Sequence, residues 1–296
     1  METKKSITSK QILVPAKSSS RWFGVDFNAN LYVGCENGCV FCDSKADLGC
    51  SDYQDSVHPV IDAIRLLDQE LQGKPEHMII GLGQRLDSYN SLDTTLRLTR
   101  SALEVINSHQ QGVVIFTKSD LVLNDIDLLK KISLHSPVVV ILSITTMNDE
   151  ITRKLEPGAA STVNRFKTLN KLSNEKIKTG ILMVPIVPFI NDTEDNVTGI
   201  IRRAKEVGVD FIYPAFGITL NEAQRKHFYE MIDKEFPGLK NIYMDTFGSK
   251  ASCQSPIAAK LKKSFVFECK RQKLKYGMND IVKTIRPVTT VQMKLF

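Results

Sequence analysis

Lys178-Thr179-Gly180-Ile181-Leu182-Met183-Val184-Pro185 is a short run with an unbroken apolar centre, and a few residues later the chain reads Asp192-Thr193-Glu194-Asp195. Asp192 or Thr193 can cap a helix whose first turn then holds two acids, and Gly208 stops that helix after residues 193–207. A second apolar run follows at 211–215. Strands buried on both faces read as continuous apolar runs, so this strand-helix-strand unit predicts a parallel pair joined by a crossover helix. Working outward, similar runs at 29–33, 77–83, 112–118 and 137–145 alternate with helical periodicity at 59–72, 91–109, 122–133 and 163–174, and a last helix is expected at 221–236. Six βα units in about 210 residues predict a partial (β/α)6 TIM-like barrel, because a full eightfold barrel typically takes about 250. The rival is an open doubly wound sheet. It is weakened because Gly81 and Gly83 have no third glycine at the spacing of a dinucleotide-binding loop.

The chain has 296 residues, 42% of them hydrophobic, which supports one large core and excludes a disordered chain. Its longest apolar stretch, 181–190, contains two prolines and is half the roughly 20 residues a membrane helix needs, so no membrane span is expected. Residues 1–21 are polar, without a hydrophobic run ahead of a cleavage site, and predict a cytoplasmic protein. The expected organisation is a polar segment at 1–24, the barrel at 25–249, and a basic, mainly helical extension at 250–296 comprising a helix over 256–275 and an extended tail. Net charge is +6, yet residues 250–296 alone carry +9 and the remainder −3. A basic end on a mildly acidic body suits a polyanionic partner such as DNA, and equally a solvated lysine-rich helix.

Gly34-Cys35-Glu36-Asn37-Gly38-Cys39-Val40-Phe41-Cys42 follows the first expected strand. Three thiolates at C-x3-C-x2-C spacing can hold one face of a 4Fe-4S cluster and leave its fourth iron open to a small molecule. The structural rival is a zinc site that recruits Cys50 as a fourth ligand, although zinc ribbons usually pair two C-x2-C hairpins and the second is missing. An odd triplet of cysteines suits a disulfide framework poorly.

With Phe41 just before the last cysteine and the motif just after a barrel strand, the segment resembles the radical S-adenosylmethionine (SAM) superfamily. Asn30-Leu31-Tyr32-Val33-Gly34-Cys35, Thr117-Lys118-Ser119-Asp120 with Asn124-Asp125-Ile126-Asp127-Leu128-Leu129, Thr145-Thr146, Leu155-Glu156-Pro157-Gly158 and Pro185-Ile186-Val187-Pro188-Phe189-Ile190-Asn191-Asp192 resemble the branch that contains spore photoproduct lyase and uncharacterised bacterial relatives. The resemblance implies a 4Fe-4S cluster on Cys35, Cys39 and Cys42, SAM bound at the open iron, reductive cleavage to a 5′-deoxyadenosyl radical, and an electron donor such as a flavodoxin or ferredoxin. It also implies that Lys118 and Ser143, at the ends of the third and fourth strands, bind the methionine carboxylate, for which an ammonium and a hydroxyl are apt. Phe41 is a further cofactor-site candidate. Gly81 and Gly83 suit a close backbone approach to the cofactor, as they suit tight packing, and Asp87 and Tyr89 are candidates for the same mouth. Cys50 is the candidate hydrogen-atom donor, with Cys253 and Cys269 more simply read as buried apolar residues.

Two departures bear on the substrate. Where relatives carry Ser-Asp-Pro-Tyr-x-Pro-x-Glu, residues 86–93 lack both prolines and end in Asp93, and Asp43 stands where spore photoproduct lyases place a tyrosine after the third cluster cysteine. The first implies a differently shaped loop, and the second argues against repair of the spore lesion. The expected activity is lyase-like radical chemistry on DNA or another nucleic acid, with a zinc-stabilised nucleic-acid adaptor, or radical chemistry on a peptide or metabolite, as alternatives. Finally, Gln292-Met293-Lys294-Leu295-Phe296 resembles the Gln-x-x-Leu-Phe peptides that bind the bacterial sliding clamp, with Gln292, Leu295 and Phe296 as anchors.

Overall fold

A computed structural model describes residues 7–16, 22–42 and 56–286. The chain runs β1 (Leu13–Pro15), β2 (Phe27–Ala29), β3 (Tyr32–Val33), β4 (His58–Pro59), α1 (Ala63–Leu71), β5 (Ile79–Leu82), α2 (Asp93–Leu96), α3 (Leu98–Ser108) and β6 (Gly112–Thr117). It continues through α4 (Ile126–Ser133), β7 (Val138–Ser143), α5 (Asp149–Leu155), α6 (Thr162–Asn174), β8 (Lys178–Met183), α7 (Glu194–Glu206) and β9 (Phe211–Pro214). The last elements are β10 (Gly217–Thr219), α8 (Glu222–Glu235), α9 (Leu239–Phe247), β11 (Ser252–Gln254), α10 (Ala258–Gln272) and α11 (Met278–Ile285).

One sheet, ordered β1-β2-β5-β6-β7-β8-β9, carries six parallel strands from β2 onward, with β1 antiparallel at the edge. This is the partial barrel that the six apolar runs predict. Side chains alternate across the sheet: Val113 and Ile115 of β6 join the large core beneath the helices, while Val114 and Phe116 face a second core with Phe23, Val139, Ile141 and Phe211. Most of these side chains are fully buried, and each contributes about 1.5–3 kcal/mol relative to exposure. Helices start where capping residues occur: Thr193 accepts from Asn196 at α7, and Asn221 forms a reciprocal capping box with Gln224 at α8.

The first barrel strand is Phe27–Ala29, earlier than the run expected at 29–33, because Tyr32–Val33 instead pairs with His58–Pro59. Asn28 lies within that strand, opposite Gly81, and its polarity breaks the apolar pattern by which the strand would be recognised. The helix expected over 91–109 is two helices broken at Arg97, which has φ 51°. Asp93 uses the break, accepting from Thr99 N at 2.9 Å and from the Tyr32 hydroxyl at 2.5 Å. The tail expected after 275 contains α11, whose Ile281 and Ile285 pack beneath Phe23. Residues 252–286 are laid onto the barrel: β11 pairs with β10, α10 packs on α7, and Lys178 Nζ at the start of β8 donates to Thr284 O at 2.8 Å. Among the described residues no helix is long and apolar enough to cross a membrane.

Candidate functional site

Parallel strands deliver their following loops to one end of the sheet, and there the loop of Cys35, Cys39 and Cys42 is held by three distant segments of the chain. Val40 N donates to Leu155 O at 2.9 Å and Gly158 N to Asn37 O at 3.0 Å, so the Leu155-Glu156-Pro157-Gly158 segment grips the cysteine loop along its backbone. The fit is close enough to dictate residue type. A side chain at Gly158 would meet Glu36 O at 2.2 Å, and Gly38, at φ 59°, has Pro157 Cγ 3.0 Å from where a Cβ would stand. After β5, Ser91 donates its N–H and its hydroxyl to the Glu36 carboxylate, and Asp87 accepts from Asn37 Nδ2 at 3.3 Å. From α8, Gln224 Nε2 donates to Cys42 O at 3.1 Å.

Lys118 stands one residue beyond β6 and Ser143 ends β7, one step past the Thr117–Leu142 pairing, so register brings both candidates to the same rim. Lys118 Nζ donates to Cys39 Sγ at 3.3 Å, lies 3.8 Å from Glu156 Oε1 and sits 5.8 Å from the centre of the Phe41 ring. Burial works against the lysine charge, but Cys39 and Glu156 outweigh it and hold the ammonium above the ordinary lysine range. Burial pushes the Cys39 thiol up to about 12, with Lys118 opposing, and raises Cys35 for the same reason.

Glu156 and Arg165, each 1% exposed, form an ion pair at 2.6 Å behind Lys118. The pair is held by charge, since neither Glu156 oxygen nor Arg165 Nη2 meets hydrogen-bond geometry. Arg165 also donates to Ser143 O at 2.7 Å and Ala160 O at 2.8 Å. One guanidinium is therefore tied to both expected carboxylate-binding residues, to Lys118 through Glu156 and to Ser143 through its carbonyl. Neither Glu156 nor Arg165 stands out as a site residue in the sequence. The Leu-Glu-Pro-Gly motif was the available signal for the first, and nothing marked the second.

The remaining candidates have structural partners. Asp87 accepts from Thr117 Oγ1 at 2.7 Å, Lys118 N at 2.8 Å and Tyr89 N at 3.1 Å, which makes it a hub between β6 and the cysteine loop. Tyr89 turns inward and donates to Asp125 at 2.9 Å. A side chain at Gly81 would meet Asn28 Oδ1 at 2.6 Å, and one at Gly83, at φ 77°, would meet Phe116 O at 2.0 Å, so strand packing accounts for both glycines. Cys253 and Cys269 are buried. Cys50, Gln292, Leu295 and Phe296 lie outside the described residues.

A largely buried ammonium 3.3 Å from Cys39 Sγ, against the loop that also carries Cys35 and Cys42, fits a cluster whose thiolates need a counter-charge. Among the described residues no three thiol, imidazole or carboxylate groups converge as the ligands of one metal ion would. A cubane makes no such demand, because each thiolate binds a different iron. Near the rim, the loops after β7 and β8 enclose a cleft of about 620 Å³ lined by Asn148, Asp149, Asn191, Asp195 and Asn196.

Residues 29–204 match the family described as the Radical SAM superfamily. Among curated proteins, an uncharacterised protein of Methanocaldococcus jannaschii is 28% identical over 218 residues, covering 72% of this chain and 78% of that protein. An uncharacterised protein of Mycobacterium bovis is 20% identical over 229 residues, covering 75% and 67%. Among solved structures, spore photoproduct lyase complexed with dinucleoside spore photoproduct aligns with a TM-score of 0.63 at 14% identity, covering 94% of this chain and 79% of that one. A radical SAM methyltransferase from Kitasatospora setae aligns with a TM-score of 0.53 at 9% identity, covering 83% and 51%. At these identities the solved structures speak to the fold alone.

Proposed function

The chain belongs to the radical SAM superfamily, and we propose that it is an enzyme that cleaves SAM to 5′-deoxyadenosine and methionine in the course of modifying or repairing nucleic acid. When bound, a 4Fe-4S cluster supplies the electron for that cleavage, received from a flavodoxin or ferredoxin. Cys35, Cys39 and Cys42 are its ligands, and Lys118, 3.3 Å from Cys39 Sγ, balances their charge. Lys118 and Ser143 hold the methionine carboxylate, Glu156 and Arg165 hold those two in place, and Phe41 covers the ammonium. The observation that carries the reading is the convergence of the cysteine loop and Lys118 at the rim where parallel strands end.

The test is to reconstitute the protein anaerobically, reduce it, and follow 5′-deoxyadenosine by mass spectrometry. Formation of that product at the expense of SAM is expected. An intact, reducible cluster with no cleavage would refute the enzymatic reading, and stoichiometric zinc in native protein would favour an adaptor without catalysis.

Nucleic acid as substrate draws on the spore photoproduct lyase fold and on the +9 charge of residues 250–296. One observation favours a second reading, a peptide or small metabolite: the cleft beside the rim presents Asp149 and Asp195, carboxylates that suit a cationic or neutral polar group better than phosphate. Comparing nucleosides and metabolites between a deletion strain and its parent separates the two. The proposal extends to recruitment by the sliding clamp through Gln292, Leu295 and Phe296. Deleting residues 292–296 should abolish clamp binding and leave SAM cleavage intact.

A further inference from the structure

Helix α10 turns Leu261, Phe265 and Cys269 into the core and leaves Phe267 standing 68% exposed. A helix with a complete buried face does not need a second, outward aromatic for packing. On a helix surface the neighbours of a residue lie three and four positions away. For Phe267 these are Lys263, Ser264, Lys270 and Arg271, with Lys260 one turn further back. The four cations are all exposed. The acids nearby are engaged from the flank: Glu194 pairs with Lys260 and accepts from Ser264, and buried Glu268 pairs with Arg271 and Arg202. Lys263 and Lys270 make no ion pair among the described residues.

We propose that this face of α10 docks single-stranded nucleic acid, with Phe267 as the platform for one base and Lys263, Lys270 and Arg271 on the neighbouring phosphates. Charge complementarity restricts the partner to a polyanion, and the count of exposed apolar groups selects among polyanions. A helix lying in a membrane surface inserts several apolar side chains, and one filling a protein groove needs anchors at i, i+3, i+4 and i+7. The apolar residues of α10 at such spacings are buried in its own core, and one ring is left outside. One ring among cations suffices for stacking, which tolerates any base but needs a base face that a duplex neighbour does not cover. The surface shares its class of partner with the substrate reading above, but its evidence is separate and it requires no cofactor.

The test is fluorescence anisotropy of the full-length protein with a short labelled oligothymidylate, the matching duplex, and vesicles containing phosphatidylserine. Single strand should bind more tightly than duplex or vesicle. Phe267→Ala should weaken single-strand binding about fivefold to a hundredfold, and Phe267→Trp should restore it. Replacing Lys263 and Lys270 together with Gln should reduce the slope of log affinity against log salt by about 1.4. Because these side chains are exposed, the variants should melt like the parent. Wild-type affinity in Phe267→Ala, equal binding of duplex, tighter binding of vesicles, or no binding at low salt would each overturn the proposal. SAM cleavage followed in parallel separates the two readings: its absence from the parent would refute the enzyme while leaving a positive docking result standing.

Discussion

At the floor of the barrel Phe23, Phe211, Ile281 and Ile285 meet in an apolar plug, whereas at the mouth Glu156 and Arg165 are buried behind a largely buried Lys118 that reaches the thiol of Cys39. The same sheet supplies both ends. The floor is held by burial and dispersion, which are non-directional and tolerate conservative change. The mouth holds charges whose desolvation offsets much of their mutual attraction, and a well-packed apolar filling there would often be as stable or more so. A fold shaped for stability alone would close both ends like the floor, so the mouth is where its chemistry is to be sought.

The sharpest break between the two ends should come from the cysteines. Cys35→Ala, Cys39→Ala or Cys42→Ala should each abolish the cluster, read as iron, sulfide and visible absorbance after anaerobic reconstitution, while a floor substitution such as Ile281→Ala keeps it. A triple cysteine variant that retained full iron and sulfide would erase the distinction.

The buried ion pair comes next. Glu156→Gln or Arg165→Met alone leaves one buried charge uncompensated and should cost about 3–5 kcal/mol in denaturant unfolding, and the double variant should cost much less than the sum. Ile281→Ala should cost about 2–5 kcal/mol by leaving a cavity. The magnitudes overlap, so the contrast lies in coupling. The mouth variants should also weaken SAM binding, and the floor variant should not.

Lys118→Ala should weaken equilibrium SAM binding by about one to two decades, the loss of a charged hydrogen-bond partner. Unchanged affinity would remove Lys118 from the cofactor site and leave it as a counter-charge for Cys39.

The smallest effect belongs to the partly exposed pair of Arg100 and Asp127. The Arg100 guanidinium holds the Asp127 carboxyl at about 2, below its ordinary 3.8. A depressed carboxyl stabilises the fold above its unfolded value, and that contribution is lost as pH falls from near 3.8 through about 2. The side chain is half exposed, so the contribution should stay below about 1 kcal/mol. Asp127→Asn should remove this part of the acid slope in unfolding measured against pH, and an unchanged slope would show the pair to be energetically silent.

Much of the mouth was legible in the sequence. The thiol spacing marks the cysteine loop without reference to any other residue, and strand ends placed Lys118 and Ser143 on one rim. Glu156 and Arg165 were not legible as partners of that rim, because a carboxylate in a Pro-Gly turn and a guanidinium on a helical stretch both read as solvent-exposed until the docking of Leu155–Gly158 on the cysteine loop buries them. Tyr89 and Asp87, expected at an open mouth, are turned to Asp125 and to Thr117 and Lys118 for a similar reason: the groups that satisfy them are supplied by loops and strand ends 30 or more residues away.

The sequence by itself determined what depends on short-range pattern. Apolar runs and capped helices require a parallel sheet wrapped by helices, and three closely spaced thiols require a common ligand or a common burial. Tertiary structure alone decided which distant side chains share a dry space: Arg165 with Glu156, Lys118 with Cys39, and α11 with Phe23. Burial and pairing of charge depend on distances between segments far apart in the chain. Strand register and loop docking set those distances, and no local pattern encodes them.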